Sequence, residues 1–433
     1  MKTGLFLPLI AFVCGAARAE LPPWFEAETK AEHETVIALR RDFHENPELS
    51  NGEERTARVV AERLEKLGLQ VRRNVGGHGV VAILRGHKPG PCVGLRADMD
   101  ALPIEEAGAL PFKSKQPGVM HACGHDAHTA IALAVAEVLA PHRGELAGTV
   151  KFLFQPAEEG MPIQYTQDWG AKRMLREGAF DEPKPRAIFA LHCSPTATVI
   201  EAGERKDVAM RAGTVGVAAG PISANSDAFS VAVHGKMAHG SSPARGVDAI
   251  TTAAAIIMEL QTIRSRHVDG QEPLVLTVGT MKGGQRSNIL AETAEMTGTV
   301  RTHSAATQAK VQELIERIAK GVAESHGATV EVSYRKGYPA VVNDAELVAR
   351  MAPVLRRIAG EANVLQPLAG LGGEDFSFFA QQTPGLYLRL GTARAGVAKP
   401  AGLHTPDFDL DEESLVTGVR AMLACVWEEL ARK

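Results

Sequence analysis

The chain has 433 residues, 45% of them hydrophobic and 23% charged, with a formal charge of −4 at pH 7. That length exceeds one ordinary domain and predicts two, each with its own core, while the composition excludes a disordered chain or a fibre. The acidic balance argues against nucleic acid as a partner.

The first residues carry the pattern of an export signal: Lys2, an apolar run over residues 5–13, then the small-residue site Ala17-Arg18-Ala19. Cleavage after Ala19 would deliver the mature chain to the periplasm or the medium and take its formal charge to −6 by removing Lys2 and Arg18. The run is far shorter than the ~20 apolar residues of a membrane span, and no later segment qualifies. With Cys14 gone, Cys92, Cys123, Cys193 and Cys425 are too few and too scattered for a disulfide framework, so at most one bridge is expected. A thiol kept beside histidines in an oxidising compartment needs protection, and metal ligation would provide it.

Apolar spacing predicts helices over 31–43, stopping before Pro47, and over 53–67, closed by Gly68. Short apolar strands follow at 80–84, 93–96, 149–154 and 187–191, with an Ala-rich helix over 129–139 between the two pairs. Strands separated by helices predict an α/β sheet covered on both faces. The middle differs: strand 227–235, helix 247–263, strands 274–281 and 292–301, helix 306–326, strand 328–336. That βαββαβ order is the ferredoxin-like split unit. It reads as an insertion over 222–336, hinged at Gly220-Pro221 and Gly337-Tyr338-Pro339. Helix 344–359 and strand 385–390 return to the first pattern, so the first domain takes residues 20–221 and 337–433.

The polar residues fall where the strands end. Asp98 and Asp100 follow strand 93–96, Glu158 and Glu159 follow 149–154, His192 caps 187–191, and His404 lies in the loop after 385–390. Open α/β sheets bind ligands outside the carboxyl ends of their strands, so separate segments deliver these groups to one rim. In Met120-His121-Ala122-Cys123-Gly124-His125-Asp126-Ala127-His128, Cys123 and His125 can turn toward one point, and thiolate, imidazole and carboxylate together suit zinc, manganese or cobalt. Alone, this segment also fits a helix start with Asp126 as cap and Cys123 as a buried thiol. The other rim groups tip the reading to metal. Adjacent Glu158 and Glu159 point in opposite directions in an extended turn, so one can hold a metal while the other reaches its water. Asp98 and Asp100 share a strand face; Asp100 is favoured as the group that orients a ligand histidine, and Asp98 is left without a role. His44 reads as a structural helix-end histidine.

Asp42-Phe43-His44 with Pro47-Glu48, residues 95–103, 120–128 and 154–160, Gly372-Gly373-Glu374-Asp375-Phe376 and Leu403-His404-Thr405-Pro406-Asp407-Phe408 occur in a telling order. Together the chain resembles the metallopeptidase-related amidohydrolases that include hippurate hydrolase, N-acyl-amino-acid amidohydrolases and plant auxin-conjugate hydrolases. The resemblance spans nearly all of the mature chain. By position it implies two divalent metals held by Cys123, His125, Glu159, His192 and His404, with Glu158 as general base. It implies that the insertion is a lid and dimerisation domain whose His239 reaches a neighbouring subunit's site to stabilise the transition state. It further implies that Asn288 and Arg301 meet the substrate, Arg301 as a bidentate grip on its free carboxylate. The segment Met161-Pro162-Ile163-Gln164-Tyr165-Thr166 is longer than the resemblance leads one to expect, and Cys193 stands where a polar residue is expected.

The expected activity is hydrolysis of the amide bond of an N-acyl amino acid, with a carboxypeptidase or dipeptidase as the metal-dependent alternative. Two further alternatives stand beside it. A thiol amidase would use Cys123 as nucleophile but would leave Glu158, Glu159 and His404 idle. A solute-binding protein closing its hinged lid on a ligand would have no need of Glu158.

Overall fold

The computed structural model describes residues 20–160 and 168–432. The export signal over 1–19 and the segment 161–166 lie outside the described residues. Eight strands form one sheet in the order Gln70–Arg72, Val80–Arg85, Ala147–Gln155, Lys88–Asp98, Ala187–Ser194, Gly385–Gly391, Val215–Gly216 and Val364–Leu365. The four strands from Ala147–Gln155 to Gly385–Gly391 in that order run parallel. Their side chains are buried on both faces, which explains the near-continuous apolar runs. The strands outrun those runs because backbone pairing does not stop where apolarity does. Asp98 is therefore the last residue of its strand and His192 lies inside another.

Helix His125–Leu139 is buried along almost its whole length, so its alanines pack against sheet and helices alike. It begins four residues before the expected 129–139 because Gly124, at φ 86°, closes the preceding turn in a left-handed conformation. The C-terminal helix Glu413–Ala431 is absent from the sequence-based elements, yet it joins the same core. Its Gly418 lets the helix approach closely: a Cβ there would stand 2.5 Å from Ile131 Cδ1. The helix expected over 31–43 is His33–Glu45, and a further short helix, Phe25–Ala31, precedes it.

A second sheet has the order Leu274–Gly283, Thr293–Thr302, Asp227–His234, Thr329–Arg335, antiparallel throughout. Burial alternates along Asp227–His234, so one face is covered by helices Ala249–Leu260 and Ala305–Ser325 and encloses a separate apolar cluster. Asp248 and Ser304 cap those helices by accepting from Ile250 N and Thr307 N. The helix expected over 247–263 stops at Leu260 and gives way to the π-helical turn Ile263–His267. The two crossings between the units lie side by side: Gly220–Pro221 pairs with Val342–Asn343, and a Cβ on Gly337 would stand 1.8 Å from Ser226 O. No helix among the described residues is long and apolar enough to cross a membrane.

One buried polar cluster fixes the rim. Arg40, fully enclosed, donates from Nε to Asp126 Oδ2 at 2.9 Å, and His44 Nδ1 lies 2.7 Å from the same oxygen. This ties helix His33–Glu45 to the start of helix His125–Leu139. Burial works against the Asp126 carboxylate, but Arg40 and then His44 outweigh it and hold the group well below the usual carboxylate range. Such a depressed carboxyl stabilises the fold fully above its unfolded value near ~3.9, and loses that contribution as pH falls through the folded value. Arg40→Met should therefore destabilise the protein by about 3–5 kcal/mol at neutral pH by stranding Asp126. Urea unfolding at pH 7 and below pH 4 should show the difference from the parent shrinking at the lower pH.

Candidate metal centre

The tight turn through Gly124 places Cys123 and His125 on either side of a left-handed residue. A Cβ on Gly124 would stand 2.8 Å from Cys193 Cβ, so the turn can only sit against that small, apolar thiol side chain. Cys123 Sγ then lies 3.3 Å from His192 Nε2 and 3.2 Å from His404 Nε2. Glu159 Oε1 lies 3.1 Å from His404 Nε2 and 3.9 Å from His125 Nε2. Cys123 is common to two donor sets, one with His125 and His192, the other with Glu159 and His404, and within each the donors lie inside 4.8 Å of one another.

Each donor is aimed by its neighbours. His125 Nδ1 faces Asp100 Oδ1 at 3.2 Å, and His192 Nδ1 donates to Cys193 O at 2.7 Å, so both rings turn Nε2 toward the sulfur. Asp100 Oδ2 accepts from Glu159 N at 2.9 Å and Ser50 Oγ at 2.7 Å, linking the helix start to the strand end. His404, at φ 61°, is pinned by its backbone N–H to Ala122 O at 2.8 Å.

The residues present fit divalent metal. His125 Nε2 and Glu159 Oε1 are buried without a hydrogen-bond partner, a costly arrangement unless a cation satisfies both. Burial disfavours the imidazolium at His125, yet Asp98, Asp100 and Glu159 outweigh it and push that group up to about 10, a measure of the uncompensated negative field. Burial and the neighbouring His128 push His192 well down, leaving the neutral imidazole that ligation requires. Burial and the carboxylates of Glu159 and Glu158 push the Cys123 thiol well up. That field opposes the thiolate form needed by a nucleophile and by a metal ligand alike, and a bound cation would offset it.

Glu158 is buried beside the cluster, and burial with Glu374 and Glu159 close by raises its carboxyl well above the ordinary value. Ala157, at φ 55°, turns the chain there and is held by its N–H to Glu53 Oε1 at 2.8 Å. Tyr338, from the hinge, donates to Glu158 O at 2.9 Å.

Behind the cluster lies a layer that apolar patterning overlooks. Arg96, fully buried, reaches Asp98 at 2.6 Å, Glu374 at 3.0 Å and Asp375 at 3.1 Å, and donates from Nε to Gln155 at 2.9 Å. The Tyr387 hydroxyl donates to Glu374. Cys193 N donates to His128 Nε2 at 2.8 Å, so the His128 proton is on Nδ1, facing Asp98 Oδ1. Asp98 is thus held by Arg96 and His128. The available signal was an arginine inside an otherwise apolar strand.

Cys123, Glu158, Glu159, His192 and His404 line one cavity of about 320 Å³, within the range of small-molecule sites. His125 and Asp100 stand in the same cluster, whereas His239, Asn288 and Arg301 belong to the inserted unit. His239 is exposed on the inserted unit with Nδ1 2.8 Å from Ser241 Oγ, and Gly240 N donates to Asn288 O at 2.8 Å. His239 and Asn288 are brought together with each other and do not line that cavity. Arg301, half-buried, comes within 3.5 Å of the place a Gly373 Cβ would take, and Gly373 lines the cavity.

Residues 94–428 match the model of peptidase family M20/M25/M40. The chain is 37% identical over 398 residues to thermostable carboxypeptidase 2 of Saccharolobus solfataricus, covering 91% of this chain and 95% of that one. It is 36% identical over 387 residues to an N-acetylcysteine deacetylase of Bacillus subtilis, covering 89% and 94%. Among solved structures it matches the Bacillus subtilis YXEP protein, described as a dinuclear metal-binding peptidase of family M20, with a TM-score of 0.75 and 34% identity over 92% of this chain and 98% of that one.

Asp100→Asn should lower divalent-metal affinity about 10–100-fold, because it loosens His125 and Glu159 together. Competition with a chromophoric chelator measures this directly, and an unchanged affinity would separate Asp100 from the cluster.

Proposed function

The chain belongs to peptidase family M20/M25/M40, and from that premise we propose that this hydrolase cleaves the amide bond of N-acyl amino acids. The observation that carries the reading is Cys123 shared between two donor sets, with two buried donors lacking partners, in the same cavity as Glu158. Cys123, His125, Glu159, His192 and His404 would hold two divalent ions, zinc, manganese or cobalt. Such ions, when bound, supply Lewis-acid polarisation of the scissile carbonyl and make water easier to deprotonate.

Glu158 takes the proton of the attacking water and passes it to the amide nitrogen as the C–N bond breaks, releasing a carboxylic acid and a free amino acid. Its dry, acidic surroundings favour the protonated form, which suits the second half of that relay. Arg301 grips the free carboxylate of the amino-acid part, and Asn288 makes a polar contact with the substrate. The inserted unit acts as a lid that excludes water on closing and as the surface of a homodimer. His239 stabilises the developing oxyanion in the other subunit's site; its exposure and distance from this chain's cavity support service in trans. Export after cleavage near Ala19 completes the proposal. The name of the Saccharolobus solfataricus relative favours a second reading, a carboxypeptidase acting on short peptides with the same groups in the same roles.

Release of free amino acid from a panel of N-acyl amino acids and dipeptides should cease on chelation and return with zinc, manganese or cobalt. Turnover confined to dipeptides would favour the second reading, and indifference to chelation with sensitivity to thiol alkylation would overturn both. Glu158→Gln should lower kcat about 10²–10⁴-fold while calorimetry shows substrate still bound. Mixing Glu158→Gln with His239→Ala subunits should recover activity above that of either alone; no recovery would remove His239 from the partner's site.

A further inference from the structure

The cavity holds a cation that the amide-cleaving machinery does not use. Strand Gly385–Gly391 pairs with Ala187–Ser194 so that Arg389 stands opposite His192 and Tyr387 opposite Ala190. Alternation along a strand then puts Tyr387, Arg389 and His192 on one face, and all three line the cavity. Arg389 has five N–H donors in a planar fork. One contact is spoken for, Nη2 to Ile222 O at 3.0 Å, and among the described residues no carboxylate pairs with the guanidinium. Glu374 on the same wall is already held by Arg96 and Tyr387. A half-buried guanidinium in this state is costly unless an anion meets it, and its geometry matches a carboxylate.

Arg301 is in the same condition: half-buried, with no ion pair among the described residues. The two arginines flank one glycine-rich loop. Arg389 Nη2 lies 3.6 Å from where a Gly370 Cβ would be, and Arg301 Nη1 3.5 Å from that of Gly373. Arg389 belongs to the strand beside His192, whereas Arg301 belongs to the inserted unit. Under the amidohydrolase reading Arg301 takes the amino-acid carboxylate, which leaves Arg389, on the strand beside His192, as the cavity's cation for the acyl part.

We propose that the cavity selects a dianionic substrate, an amino acid N-acylated by a dicarboxylic acid, with Arg389 binding the distal carboxylate of the acyl group. This rests on the amidohydrolase reading and names its substrate class. The competing role for Arg389 is purely structural, because Ile222 O also accepts from Gly370 N at 3.1 Å and the contact could simply brace the hinge.

The test compares N-malonyl-, N-succinyl- and N-glutaryl-L-alanine with neutral N-acyl alanines of matching chain length, and with N-acetyl-L-glutamate, using the metal-loaded full chain. At least one dicarboxylic acyl substrate should exceed its neutral counterpart in kcat/KM by ten-fold or more. Arg389→Gln should collapse that ratio, and Arg389→Lys should restore part of it. In a Glu158→Gln background calorimetry should show the same gap in Kd, which reads selectivity without turnover. Equal kcat/KM for charged and neutral acyl groups, or a parallel fall of both in Arg389→Gln, would overturn the proposal while leaving the amidohydrolase reading intact. Preference for N-acetyl-L-glutamate would overturn it by placing the second carboxylate on the amino acid. Absence of turnover on every N-acyl amino acid would instead fell the amidohydrolase reading itself.

Discussion

Buried negative charge governs this molecule. Asp98, Asp100, Glu158, Glu374 and Asp375 are all removed from water at one end of the sheet's parallel strands. Carboxylates in such a place are tolerated only when hydrogen-bonded or matched by cations. Arg96 neutralises the rear of the group, meeting Asp98, Glu374 and Asp375 at once. Toward the cavity, among the described residues, no lysine or arginine pairs with Glu159, whose Oε1 and the Nε2 of His125 lack hydrogen-bond partners, so the protein is balanced behind and less so in front. That asymmetry is what makes the front a candidate metal centre, with the rear as its support.

Aim comes from backbone conformations that most residues avoid. Gly124, Ala157 and His404 each stand at positive φ, and each adjoins or is a residue of the centre. Left-handed positions cost a non-glycine residue free energy and persist where surrounding contacts hold them. Ala157 is held by Glu53 and His404 by Ala122 O. The strain sits where a one-residue change of direction decides whether a side chain meets Cys123 or faces solvent.

The inserted unit is chemically connected to the centre as well as tethered to it. Tyr338 of the second crossing bonds Glu158 O and accepts from Trp169 Nε1 at 2.9 Å. Gly373 lies between Arg301 of the inserted sheet and the cavity. Movement of the unit would thus be felt at Glu158, the proposed general base, and at Arg301, the proposed carboxylate grip, together, which is how the proposed lid would couple substrate capture to proton transfer.

Much of the architecture was legible along the chain. Continuous apolar strands announced an α/β sheet covered on both faces, and the middle elements appeared in their βαββαβ order, because burial of apolar surface imposes a local period. Candidate site residues were legible too, since Asp100, Glu158, Glu159 and His192 stand at or just past strand ends and His404 lies in the loop beyond one. Helix Glu413–Ala431 was not read, nor were the roles of Arg96, His128, Tyr387 and Arg389. Their meaning lies in partners distant along the chain, as when Arg96 meets Glu374, and no local period records such a pairing. Sequence alone determined which residues could ligate metal and on which rim they would stand. Tertiary structure alone decided that Cys123 belongs to two donor sets and that Asp98 faces Arg96 and His128, because charge compensation depends on distances of a few ångströms that only the packed sheet and helices establish.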